Sequence, residues 1–349
     1  MKWSNFTIKY MEQYKKQPYE ILENNILLGQ MKKEREDICQ FIKSLITKDT
    51  FLEEKQSVTT LYPATKKRVD NNVFSKNIAK YAKTDWVDST NVMKELDNLD
   101  STYLIEWSNI RIIIRGNGLL NRIKYIVYFI EYLKMKTNKK TKLDIYLILT
   151  GLEKQFPTDN SIVDITTANS GYTDFRENII FIWRKEECEK VLFHELIHFY
   201  DMDHKFENVH LDLKATETSY HEAITDFKGI YYHLIYLSII TNYPIKKLLE
   251  MEYMFIRNQA IQMNIYLGLG TWTNINSILI KQNTPAFSYY ILKYLLFMYS
   301  LSNDINEFIS NDNYNALLHI VLEMGKDEFK NIYNIIKGKS SRMSSLQLD

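Results

Sequence analysis

The run Val191-Leu192-Phe193-His194-Glu195-Leu196-Ile197-His198-Phe199-Tyr200 constrains this chain more than any other stretch. Leu192, Phe193, Leu196, Ile197 and Phe199 are too apolar for a surface segment, and their spacing suits a helix buried in a core. On that helix His194 and His198 project from one face, one turn apart, with Glu195 beside them. A buried pair of imidazoles needs a reason, and H-E-x-x-H at this spacing supplies one: both histidines can bind a single zinc ion, and the glutamate can reach water on it. The chain has seven histidines, so the pattern must be weighed against the rest of the sequence.

The 349 residues are 45% hydrophobic and 25% charged, which is ample for a core in one large domain or two. A net charge of +1, from 44 basic and 43 acidic residues, provides no strong field for nucleic acid or an anionic membrane. Neither is expected as a partner. Cys39 and Cys188 lie far apart in no metal-type spacing, and so sparse a pair suggests a reducing compartment. The N-terminal residues lack a signal-peptide pattern, and the longest apolar run, Gly229 to Ile240, is too short to span a bilayer. A soluble cytoplasmic protein is expected.

Helical periodicity marks two or three helices between Asn5 and Thr47, followed by a polar, partly irregular stretch to Asp100. The basic run Lys66-Lys67-Arg68 within it reads as a solvated surface. Tyr103–Trp107 and Ile110–Ile114 form a hairpin about Ser108-Asn109, closed by Gly116 to Gly118. Leu119 to Met135 is a long amphipathic helix, and Lys142 to Thr150 alternates as a strand. Thr166–Thr173 and Asn178–Arg184 read as two more strands, with the histidine helix starting near Glu186. Beyond Pro244 the chain is largely helical, over Ile245–Tyr266, Ser288–Leu301 and Tyr314–Lys337, with a turn at Gly268–Trp272. The fold class is α+β. The expected division is a helical, partly irregular region 1–100, a strand-rich upper part 101–205 with the motif, a helical lower part 206–338 and a disordered tail 339–349.

This order of strands before an H-E-x-x-H helix resembles the upper half of a zincin metallopeptidase, in particular the gluzincin, or thermolysin-like, branch. The resemblance covers roughly Thr102 to Ser300. It implies an edge strand just before the active-site helix, here Ala168 to Thr173, along which Asn169, Ser170, Gly171 and Tyr172 would bind an extended substrate. Unpaired strand-edge N–H and C=O groups suit any extended peptide, and Gly171 would let it approach closely. A catalytic zinc needs a third protein ligand. Glu222 and Asp226 are four apart on the next apolar helix, which resembles the gluzincin E-x-x-x-D element: Glu222 as ligand, Asp226 orienting His194. His204 is the alternative ligand, six residues after His198 as in metzincins, although Asp201 stands where those proteins use glycine to leave the helix. Glu222 is preferred because its helix matches both positions.

Carried over, the resemblance implies hydrolysis of peptide bonds in a peptide or protein substrate, with water activated by Zn2+ and Glu195 as general base. An oxyanion donor could come from Tyr220, His221, Tyr231, His233, Tyr289 or Tyr290; a helix opened by Thr284-Pro285 favours Tyr289 or Tyr290. An endopeptidase is preferred, since no acidic anchor for a free amine is recognisable near the edge strand. The rival is a catalytically silent zincin scaffold that binds a protein partner. Abundant Ile, Asn, Lys and Tyr beside 10 Gly and 5 Pro suggest an AT-rich genome. The chain also resembles the zinc-metallopeptidase-like proteins of large cytoplasmic DNA viruses, which implies the host cytoplasm or the virion.

Overall fold

The computed structural model describes residues 2–16, 19–53, 65–156, 162–203, 219–267, 282–304, 342–344 and 346–347. Its centre is a six-stranded mixed sheet in the order β1-β2-β3-β4-β6-β5. The strands are β1 (Thr65–Val69), β2 (Thr102–Trp107), β3 (Ile110–Arg115), β4 (Leu143–Thr150), β5 (Gly171–Asp174) and β6 (Ile179–Arg184). The hairpin forms as expected, antiparallel, with Ser108 at φ 51° in its turn. β3, β4 and β6 run parallel, and β5 returns antiparallel on the edge.

The sheet is covered on both faces, which explains why its central strands are buried throughout. Ile112, Ile114, Ile145, Leu147, Ile180 and Ile182 pack in the main core with helices α5 (Ile123–Thr137) and α7 (Cys188–Phe199). The alternate residues Ile113, Tyr146, Ile148, Phe181 and Trp183 meet α3 (Ser75–Tyr81) and α4 (Ser89–Leu96) on the other face. Two expectations are corrected here. The stretch before Asp100 joins the sheet, because β1 pairs with β2 along its whole length and carries Lys66-Lys67-Arg68 on the edge. The strand-rich part therefore begins before residue 101, and lysines on an outer strand discourage pairing with another chain. Thr166 to Ala168 are not strand: Asp164 accepts from the Thr166 N–H and caps a helical turn, α6 (Ile165–Ala168).

The other helices are α1 (Asn5–Tyr14), α2 (Ile26–Glu53), α8 (Tyr220–Thr241), α9 (Ile245–Tyr266) and α10 (Lys293–Ser300), the last entered through a π-helical turn at Ser288–Leu292. None in the described residues is long and apolar enough to cross a membrane. The tail is not disordered throughout, as Met343 and Leu346 are buried and Gln347 N–H donates to Thr7 on α1. The expected turn at Gly268–Trp272 and helix at Tyr314–Lys337 lie outside the described residues.

Helices α7 and α8 pack closely at Gly229, where a Cβ would stand 3.0 Å from both the Cα and N of His194. Gly229→Ala adds about 1 kcal/mol of helix propensity but overpacks this contact by roughly 1–3 kcal/mol. The expected result is a lower urea midpoint, and a midpoint at or above wild type would show that the two helices can separate freely.

Candidate metal centre

The apolar residues of α7 hold it between the sheet and α8, which turns His194 and His198 toward the N-terminal turn of α8. Ser219 caps that turn by accepting from the Glu222 N–H, which fixes where Glu222 starts. Glu222 Oε2 lies 3.4 Å from His194 Nε2 and 3.6 Å from His198 Nε2. Two donors about 2.0–2.2 Å from a tetrahedral zinc are about 3.3–3.6 Å apart, so Glu222 stands at zinc-ligand spacing from each imidazole. All three offer a ligand atom within 4.8 Å of the others.

The remaining ring nitrogens are held from behind. His194 Nδ1 is 3.0 Å from Asp226 Oδ1, as the resemblance implies, and His198 Nδ1 is 2.6 Å from Asp203 Oδ2. Such carboxylates fix the ring orientation and tautomer that leave Nε2 free to bind metal. Asp203 also approaches His221 Nε2 at 2.9 Å and accepts from the Thr225 hydroxyl. His198, Asp203 and His221 thus form a second group with metal-type donors, but the short His198–Asp203 contact leaves no room for an ion between them. The sequence reading missed Asp203, whose only signal was its place five residues past His198. His204 lies outside the described residues. Asp201 leaves the helix at φ 53°, the conformation that its position demanded.

Electrostatics follow from burial. Burial raises the pKa of Glu222, but His198 and His194 outweigh it and the net shift is downward. Burial opposes ionisation of Asp226 too, yet Lys190, Lys293 and His194 hold its pKa well below the carboxylate range. For His194 burial pulls down, and the hydrogen bonds to Asp226 and Glu222 carry the net shift upward. The same negative field that draws protons to these imidazoles draws a divalent cation. Glu195 moves the other way: burial pushes it up, against His194 and His198. Its Oε2 accepts from the Thr173 hydroxyl at 2.9 Å, so β5 holds this side chain in place.

These residues line one wall of a cleft of about 410 Å³, which the exposed Trp86 and Phe175 flank. Asn169, Gly171, Tyr172 and Thr173 form the opposite lip on β5 and the residues before it, while Ser170 points into a smaller cavity behind. A Cβ at Gly171 would come within 2.8 Å of Val191 Cγ1 and 3.0 Å of Glu195 Oε1, so the close packing of β5 on α7 requires glycine there. The Tyr172 ring turns to the far face of the sheet, its hydroxyl donating to Tyr81 O. Tyr289 lines the cleft, and its hydroxyl donates to Glu222 Oε2 at 3.1 Å. Tyr290 does not: it is fully buried against Phe156 and beneath Lys293, because successive residues of the π-helical turn point in different directions. Of the other oxyanion candidates His221 lines the cleft, Tyr220 and His233 are in the core, and Tyr231 lines a separate groove beside α2. Burial, assisted by Lys190, lowers His233 to about 3 and keeps it neutral.

No protein-family model, curated protein or solved structure matches this chain. The protein is therefore characterised by its architecture and its site: a mixed α+β chain in which two helices bring donor atoms of two histidines and a glutamate within 4.8 Å of one another.

Proposed function

We propose that this protein is a zinc-dependent peptide-bond hydrolase of zincin type, gluzincin-like in layout and acting as an endopeptidase. The observation that carries the reading is the convergence of His194, His198 and Glu222, the glutamate at tetrahedral zinc spacing from each imidazole, with a buried carboxylate behind each imidazole and Glu195 alongside. β5 supports it, since among the described residues it pairs only with β6 and its residues line the cleft.

His194, His198 and Glu222 would hold the metal, which when bound supplies Lewis acidity toward water and the scissile carbonyl. Glu195 takes a proton from the attacking water as oxygen bonds to the carbonyl carbon. It then returns that proton to the nitrogen as the C–N bond breaks. The hydrogen bond from Thr173 keeps the carboxylate aimed at the cleft. Tyr289, whose hydroxyl sits at the ligand Glu222, donates to the developing oxyanion, and the β5 edge orients the peptide backbone. Trp86 and Phe175 offer apolar contact to side chains on either side of the bond.

The test is incubation of zinc-loaded protein with a library of N-acetylated peptides, read by mass spectrometry. Internal cleavage is expected, abolished by a chelator and restored by added zinc. Absence of cleavage, or cleavage indifferent to the chelator, would remove the reading; cleavage only of peptides with a free amine would replace the endopeptidase by an aminopeptidase.

A further inference from the structure

Behind the cleft lies a second, smaller cavity of about 30 Å³, and Asn169, Gly171, His194, Glu195 and Tyr289 line both. The small cavity therefore adjoins the cleft beside the candidate general base. It has room for two or three heavy atoms and none for a large apolar side chain. Its inner wall is polar, formed by Lys154, Lys190, Asp226 and Ser170.

Away from Glu195, whose Oε1 also faces this space, the hydrogen-bonding capacity left on that wall is mainly that of donors. Asp226 already has three partners, Lys190 and His194 at Oδ1 and Lys293 at Oδ2, the last at 2.7 Å. Glu195 Oε2 is taken by Thr173. Three donors, by contrast, have protons to spare. Lys154 spends one proton on Glu187 at 3.0 Å and keeps two, at 1% exposure. Asn169 uses its Oδ1 to accept from Thr284, which leaves its Nδ2 protons. Ser170 Oγ is buried, at 3% residue exposure, with no partner among the described residues. A buried hydroxyl without a partner is uncommon and costs stability unless something else satisfies it.

We infer that this chamber is an anion subsite that receives a carboxylate of the substrate next to the scissile bond, held by Lys154, Ser170 and Asn169. The inference rests on the peptide-hydrolase reading and narrows it to substrates with an acidic group there. Two sources share this chemistry, an Asp or Glu side chain and a terminal carboxylate.

The test measures binding, so it does not depend on turnover. Full-length, zinc-loaded Glu195→Gln protein is titrated against fluorescein-labelled, N-blocked hexapeptides that differ only in Glu or Gln at one position, each with a free or an amidated C-terminus. The expected result is at least tenfold tighter binding of a Glu peptide than of its Gln partner at one position, or of the free than of the amidated end. The first assigns the subsite to a side chain and the second to a terminus. Ser170→Ala, a small change that the fold tolerates, is expected to weaken the acidic ligand three- to tenfold and leave the neutral one unchanged, the loss of about one charge-assisted hydrogen bond. Equal binding of acidic and neutral peptides at every position and both ends, or no binding of any peptide, overturns the subsite. If wild-type protein cleaves the neutral peptides in that case, the hydrolase reading stands without the subsite. Acid-selective binding with no cleavage by wild type has the opposite meaning.

Discussion

Glu195→Gln is expected to lower peptide hydrolysis by about 10²- to 10⁴-fold while leaving the fold and zinc content unchanged. The substitution is isosteric, and the amide oxygen can still accept from Thr173, which now holds Oε2. What it loses is the ability to take a proton from water. Burial raises the pKa of this carboxyl in the metal-free cleft, against the pull of His194 and His198. The group also lies on the same helical turn as His194, at the mouth of the cleft. Steady-state cleavage of a fluorogenic peptide measures the effect. A scaffold that only binds a partner predicts the same trace from both proteins, so equal rates would support the scaffold and remove the enzyme.

Asp226→Ala acts on a different property and should be the most damaging single change for stability. Asp226 is fully buried, with the ammonium groups of Lys190 and Lys293 and the Nδ1 of His194 around it. Truncation leaves two lysines buried without their counter-charge. Breaking a buried pair in this way costs about 3–5 kcal/mol, a large share of the 5–15 kcal/mol that holds a typical domain together. Asp226→Asn keeps the volume and one acceptor, so it should fall between the two. The measurement is the urea midpoint of all three proteins without added metal, which isolates the packing and charge effect from zinc binding. A wild-type midpoint for the alanine variant would mean that Lys190 and Lys293 find other partners. In either variant zinc binding should weaken by about 10- to 100-fold, because His194 loses the group that orients it.

The parts of the molecule that could be read from the residues are those where one physical pattern dominates. The β-prone runs from Tyr103 to Ile114 specify a hairpin, and the helical spacing of α5, α7 and α8 specifies buried helices. Glu222 and Asp226 were legible because four residues on a helix share a face, and the structure brings both to His194. The misreadings have the converse cause. β1 carries lysines and an arginine because it is an edge strand, so composition disguises it as a loop. Asp203 lies close to His198 in the chain but past the end of its helix, and Thr173 reaches Glu195 from a separate strand, so no helical spacing records either. Lys190 and Lys293 look like surface residues in a sequence and are buried only because Asp226 lies between them. Tyr289 and Tyr290 could not be separated without the helix phase, which the π-helical turn at Ser288–Leu292 shifts.

The central claim is that one zinc ion binds at His194, His198 and Glu222, and zinc stoichiometry tests it most directly. Purified protein, supplemented with zinc and desalted, is analysed by inductively coupled plasma mass spectrometry beside His194→Ala and Glu222→Ala. The account predicts one zinc per chain in the wild type and a marked loss in each variant, with circular dichroism confirming that the variants are folded. A wild type without stoichiometric zinc, or variants that retain it in full, would contradict the account.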